Sequence, residues 1–236
     1  MTGRRLVATL RGAVYYPLFY LLMGLVGGVL AVPAAVSENA ARWTAKRFFG
    51  TSFLLLRGLC GVRVRVRGEV PSGPVVVASK HQSMLDVFIL FHALPRARFV
   101  MKRELLRAPI FGWYARRVGS VPVDRGAGSA AMEAMLAGML ENGGGGGQLV
   151  IYPQGTRVPP GHHRPYKIGV HALYEASGLA CVPVAVNTGN VQPKGLAIWP
   201  GEAVVEFLPP IPPGLARAPF MATLEERIET ATAALA

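Results

Sequence analysis

The chain has 236 residues, 51% of them hydrophobic and only 16% charged, with 25 Lys and Arg against 13 Asp and Glu for a formal net charge of +12. That is apolar for a soluble domain and basic enough to favour an anionic partner, and with neither zinc-finger spacing nor an aromatic-rich RNA-binding strand it excludes nucleic acid and leaves an anionic membrane and a phosphorylated substrate. The two cysteines, Cys60 and Cys181, sit among apolar residues and read as free buried thiols, which excludes a secreted disulfide framework.

In chain order, the first element is a charge-free apolar stretch from Ala13 to Ser37, longer than the roughly 20 residues that cross a bilayer core as a helix. Arg4, Arg5 and Arg11 precede it and Arg42, Lys46 and Arg47 follow it, so the flanks give no orientation. Pro17, Pro33 and Gly27-Gly28 interrupt a clean span, and a second apolar run, Phe48 to Val62, is short for a crossing. Together the two runs predict a membrane-embedded helical hairpin over residues 1–60 that dips into one leaflet with both ends on the cytoplasmic side. A single transmembrane anchor and a cleaved signal peptide are the alternatives; small residues in "AVPAAVSENA" suit the latter, and free cysteines oppose it.

From residue 61 the character changes. "VRVRVRG" alternates strictly, predicting an edge strand with Arg63, Arg65 and Arg67 on its wet face. "GPVVVASK" reads as a strand buried on both faces, and Ser83 to about His92 as a short helix. "RFVM" and "SVPVD" read as strands on either side of a segment that is partly helical and broken at Pro109. Ser129 caps a helix whose apolar face carries Met132, Met135, Leu136, Met139 and Leu140, best read as core, and Gly143 to Gly147 end it. Then come strand "QLVIYP", loop "QGTRVPPGHHRP", helix "YKIGVHALYEASG", strands "ACVPVAVN" and "AVVEFLPPI", and a C-terminal helix "TLEERIETATAAL". His162-His163 in the Pro/Gly-rich loop is a poor metal pair by spacing, and no metal site is expected. The alternation predicts an α/β domain over residues 61–236, with a mixed, partly parallel sheet flanked by helices.

His81 and Asp86 are polar groups lodged between a buried strand and an apolar helix. Ser83 with Asp86 three residues on is a capping pattern, and on that reading Asp86 serves the helix N-terminus alone. The same geometry also lets Asp86 reach His81, fix its tautomer and leave the second ring nitrogen to take a proton from a hydroxyl. Such a pair carries no protein nucleophile, which suits direct attack by a substrate hydroxyl on an acyl donor.

Four blocks strengthen the second reading: His81-x-x-x-x-Asp86; the run with Lys102, Glu104, Leu105, Pro109, Gly112, Gly119 and "VDR" at Val123 to Arg125; "PQGTR" at Pro153 to Arg157; and "VPVAVN" at Val182 to Asn187. In that order, behind an apolar N-terminal element, they resemble the 1-acyl-glycerol-3-phosphate acyltransferases, the membrane-associated lysophosphatidic acid acyltransferases of phospholipid synthesis. The resemblance spans roughly Lys46 to Asn187 and the N-terminal element. Two positions depart from the family pattern: Lys80 stands where Asn is usual before the histidine, and Gln154 where Glu is usual.

The resemblance implies acyl transfer from acyl-carrier protein or coenzyme A to the sn-2 hydroxyl of lysophosphatidic acid, without a cofactor, at the cytoplasmic face of the inner membrane. It implies His81 as general base and Asp86 as its orienter. Arg157 and Lys102 would hold the acceptor phosphate, with Arg125 a weaker candidate, and N–H groups near Gly155 and Thr156, or at the start of the helix after His81, would face the developing oxyanion. Gln154 would keep a positioning role. Competing readings are acylation of another lyso-lipid, such as a lyso-ornithine lipid, and a non-catalytic lipid-binding protein. A thioester hydrolase is disfavoured because no G-x-S-x-G elbow occurs.

Overall fold

The computed structural model describes residues 3–124, 136–137 and 147–235. Two helices open the chain, α1 (Gly3–Val29) and, after a break at Leu30 and the short α2 (Ala31–Val36), α3 (Glu38–Leu55). Pro17 does not interrupt α1: it removes one backbone donor, and the helix continues because Tyr15 and Phe19 on either side of it are packed in the core. Ser37 caps α3 through its side chain, and α3 runs into a π-turn (Leu56–Cys60) that Gly61 closes.

Arg42, read from sequence as a membrane flank, is instead buried. Its guanidinium donates to the carbonyls of Ala97 and Val118 at 2.7 Å and pairs with Glu38 one turn earlier. A fixed cation with five donors can fill such a polar hole completely, which is why it is worth burying.

Among the described residues, one seven-stranded sheet forms from β1 (Val62–Arg67), β2 (Val75–Ser79), β3 (Ala97–Lys102), β4 (Val121–Val123), β5 (Gln148–Ile151), β6 (Cys181–Val186) and β7 (Gly201–Phe207), in the order β1-β7-β6-β2-β5-β3-β4. All neighbours are parallel except β6 and β7. The sheet is thus mixed and mostly parallel, and β1 is an edge strand with its arginines exposed, Arg65 facing Glu202 across the pair with β7.

Strand alternation sorts the core into two layers. Val77, Val150 and Val184 face α1, α3 and α4 (Met84–Ala93). Val76, Ala78 and Leu149 face α6 (Gly169–Ser177) and, after the single-turn α7 (Thr188–Val191) in the chain, α8 (Arg217–Ala234), whose Phe220, Leu224 and Ile228 recur every fourth residue on one buried face. The valine run of β2 is buried on both sides because helices cover both.

The segment after β3 is broken at Pro109, as its sequence predicts: Ala108 is extended between two helical pieces. A 3-10 turn (Arg103–Arg107) ends there, and Pro109 opens α5 (Pro109–Arg117), where its missing N–H would have lacked a partner in any case. The helix expected over residues 129–142 falls outside the described residues except for helical 136 and 137, and Arg125 also lies outside them.

Both cysteines are free and buried, and burial pushes the Cys181 thiol up to about 12. Along α1 the side chains of Leu6, Leu10, Val14, Leu21, Leu25 and Val29 stand exposed. Gly3–Val29 is the helix, among the described residues, long and apolar enough to cross a membrane. A run of that size facing outward suits a bilayer better than water.

Candidate active site

The C-terminal ends of the parallel strands bring the expected residues to one edge of the sheet. His81 follows β2, Tyr152 follows β5, Thr188 follows β6 and Lys102 closes β3. This is the edge at which α/β sheets present ligands.

Asp86 performs both roles that its spacing allowed, with different oxygens. Oδ2 accepts the backbone N–H of Gln82 at 2.9 Å and of Ser83 at 2.8 Å, completing a capping box with Ser83 at the start of α4. Oδ1 lies 2.9 Å from His81 Nδ1. The hydroxyls of Tyr152 and Thr188 add one donor to each oxygen at 3.3 Å. Asp86 is 0% exposed, and every neighbour offers it a proton, as an ionised carboxylate requires. Nδ1 of His81 must then carry its proton, which leaves Nε2 as the basic nitrogen.

Tyr152 holds both members of the pair. Its ring stacks on the His81 imidazole at 4.0 Å between centroids, and its hydroxyl reaches Asp86. Burial and the adjacent Asp86 charge push the Tyr152 phenol well above its usual range, so it stays a donor. The segment after β6 wraps the turn from the other side: Ser83 donates to Gln192 Oε1 at 2.8 Å, and Gly189 N–H donates to Gln82 Oε1 at 3.0 Å. A Cβ on Gly189 would lie 2.7 Å from Pro160, so this contact needs glycine.

The "PQGTR" segment is tied to the His81 turn through backbone, Val158 N–H to His81 O at 2.8 Å. Gly155 adopts a left-handed φ of 69° and its N–H donates to Tyr152 O at 2.9 Å. That donor therefore closes the turn, and the Ser83 side chain takes the Leu85 N–H at 3.1 Å and, through the capping box, the Asp86 N–H, so of the sites expected to face an oxyanion the half-exposed Thr156 and the Met84 N–H at the start of α4 remain. Gln154 is buried, and its Nε2 donates to Arg164 O at 3.3 Å. An ionised glutamate has no proton to give there; the amide's Oε1 is buried without a hydrogen-bond partner.

Two apolar cavities lie at this edge, and the smaller adjoins the pair. The smaller, about 130 Å³, is bordered by His81, Lys102, Phe99 and Tyr152. The larger, about 330 Å³, lies against α1 and is bordered by Arg157, Tyr16, Ser83 and Gln192. Phe49, Met84, Leu105, Phe111 and Tyr114 line both. The two expected phosphate cations are thus not in one cavity. Arg157 borders the larger, while Lys102 borders the smaller with Glu104 3.2 Å from its ammonium, so part of its charge is already offset. Among the described residues no three His, Cys, Asp or Glu gather to hold a metal; His163 instead meets Glu225 at 2.5 Å.

Sequence spacing did not flag Tyr152, Thr188, Gln192 or Gln82. The one available signal was that Tyr152 immediately precedes "PQGTR" and Thr188 immediately follows "VPVAVN".

A family model described as Acyltransferase matches residues 61–187. The 1-acyl-sn-glycerol-3-phosphate acyltransferase of Pseudomonas aeruginosa is 33% identical over 201 residues, covering 81% of this chain and 78% of that protein. The alpha enzyme of the same name from Homo sapiens is 31% identical over 195 residues, covering 78% and 67%. The Saccharomyces cerevisiae protein is 29% identical over 181 residues, covering 74% and 59%. The crystal structure of the 1-acyl-sn-glycerophosphate (LPA) acyltransferase PlsC from Thermotoga maritima superposes with a TM-score of 0.78 at 22% identity, covering 98% of this chain and 96% of that one. With the fold shared end to end and the matched domain enclosing His81, Asp86 and the "PQGTR" turn, the chain belongs to the 1-acyl-sn-glycerol-3-phosphate acyltransferase family.

Proposed function

We propose that the protein moves a fatty acyl group from a thioester, acyl-carrier protein or coenzyme A, to the sn-2 hydroxyl of lysophosphatidic acid, giving phosphatidic acid. The observation that carries this is the His81–Asp86 pair set against apolar space, with a guanidinium on the neighbouring cavity. His81 Nε2 takes the hydroxyl proton as the oxygen attacks the thioester carbonyl. The carbon–sulfur bond then breaks, and His81 returns the proton to the departing thiolate. Asp86 holds the ring and stabilises the imidazolium.

Arg157 suits the acceptor phosphate because a planar guanidinium can make two parallel bonds to it. Lys102, half offset by Glu104, is the secondary cation. Residues 1–60 dock the enzyme on the cytoplasmic face of an anionic membrane and residues 61–236 carry the chemistry. Lipid acceptor and product then remain in the leaflet that the exposed face of α1 enters.

The test is acyl transfer by the purified full chain with lysophosphatidic acid and each thioester, product identified by mass. Arg157→Ala is expected to raise the acceptor KM by roughly 10–100-fold, the worth of a charge-assisted contact. Equal rates on an acceptor lacking the phosphate would remove Arg157 from this role, and a clear preference for another lyso-lipid would replace the acceptor.

Tyr152→Phe keeps the stack on His81 and deletes one hydrogen bond to Asp86. Its kcat should fall by about 3–10-fold, in line with one bond of about 1 kcal/mol. A circular-dichroism melt alongside the kinetics separates this from unfolding, and an undiminished kcat would show that the hydroxyl does not support the pair.

A further inference from the structure

Lys80, the residue directly before His81 and one of the two departures from the family pattern, is 2% exposed. Alternation along β2 sends it to the face opposite His81, where Val76 and Ala78 also point. There its Nζ lies 2.6 Å from both carboxylate oxygens of Glu229 on α8. Tyr166, buried in the stretch that follows Arg157, donates to the same carboxylate at 2.9 Å. One turn earlier on α8, Glu225 meets His163 at 2.5 Å. Glu225 and Glu229 both lie beyond residues 61–187, so no family block includes them.

Stability alone does not require a charge pair here, because an apolar pair of similar volume usually serves as well. What the pair adds is direction: two short contacts fix where the ammonium sits. The Lys80 backbone is already pinned by its N–H to Val184 O at 3.0 Å and by Ser79 Oγ to its carbonyl at 2.8 Å. We propose that Lys80, Glu229 and Tyr166 form a latch by which the C-terminal helix holds the catalytic turn and the segment behind Arg157 in register for acyl transfer. These are positioning residues, and the inference rests on the acyltransferase reading above.

The decisive variant is Lys80→Met/Glu229→Gln. It removes both charges together, strands neither, and leaves Tyr166 an acceptor. Each single variant should melt lower than wild type, and the double variant should recover most of that loss. Its kcat should nevertheless stay at least about fivefold below wild type, with faster amide exchange over residues 160–167. A double variant that recovers wild-type kcat together with stability overturns the latch. Tyr166→Phe, which keeps the ion pair, provides the second reading should the double variant fold poorly. Its acceptor KM should rise about threefold or more, the loss of one hydrogen bond, and an unchanged KM overturns the latch. Wild-type protein that makes no phosphatidic acid would instead refute the functional reading; the latch is then judged on exchange alone, and unchanged protection at 160–167 overturns it.

Discussion

Replacing His81 by alanine should lower acyl transfer by about 10²–10⁴-fold, the range a positioned general base contributes, while the protein still folds and binds membrane. The separation of the two effects follows from where the ring sits. His81 retains 13% side-chain exposure and borders a cavity, so removing it enlarges existing space and opens no sealed hole. What is lost structurally is one stack on Tyr152 and one donor to Asp86, about 1–2 kcal/mol together. The other four donors to Asp86 remain. Kinetics in mixed micelles beside a thermal melt and a vesicle-sedimentation assay check this. A variant that transfers at the wild-type rate would remove the base.

Asp86→Asn should be as damaging to turnover and, unlike His81→Ala, also costly to stability. The carboxylate receives five donors across its two oxygens, and an amide can accept on only one side. If the amide oxygen stays on Gln82 and Ser83, its NH₂ faces His81 and Tyr152. The imidazole must then accept on Nδ1, its proton moves to Nε2, and the basic nitrogen is gone. If the amide turns over, the base is kept but the NH₂ confronts two backbone N–H groups and the cap of α4 is lost. The first arrangement predicts a fall in kcat of about 10³–10⁴-fold, as for other base-orienting carboxylates. Either arrangement costs about 1–3 kcal/mol in folding, because buried donors are left unsatisfied. Urea unfolding and kcat on the same preparation test both parts, and a stable, fully active variant would contradict them.

Much of this was legible locally. The valine run of β2, the alternation of β1, Ser83 three residues before Asp86, and "PQGTR" after a short strand are each set within a few residues, so spacing reveals them. Pro17 departs from its local reading for the opposite reason. Proline's local penalty is fixed, but whether it ends a helix depends on packing: the buried Tyr15 and Phe19 carry α1 through Pro17, whereas at Pro109 one helical piece does end and another begins. Arg42 likewise reads as a flanking charge until the carbonyls of Ala97 and Val118, more than fifty positions away, arrive beside it.

The support of the site lay furthest out of reach. Asp86 gathers donors from Tyr152 and Thr188, and Lys80 meets Glu229 across 149 positions. Such pairings exist only once the sheet order places β5 and β6 on either side of β2. Sequence marked Lys80 and Gln154 as departures but gave no partner for either. In the structure each makes a contact that the usual residue could not, a long reach to α8 in one case and a donated amide proton in the other.

Chemical rescue of His81→Gly by imidazole tests the proton-accepting role most directly, read as phosphatidic acid formed from lysophosphatidic acid and a thioester. Transfer should be nearly absent without additive, return with imidazole, and rise with basicity along a series of substituted imidazoles of similar size. Full transfer by the unaided variant, or rescue indifferent to basicity, would contradict it.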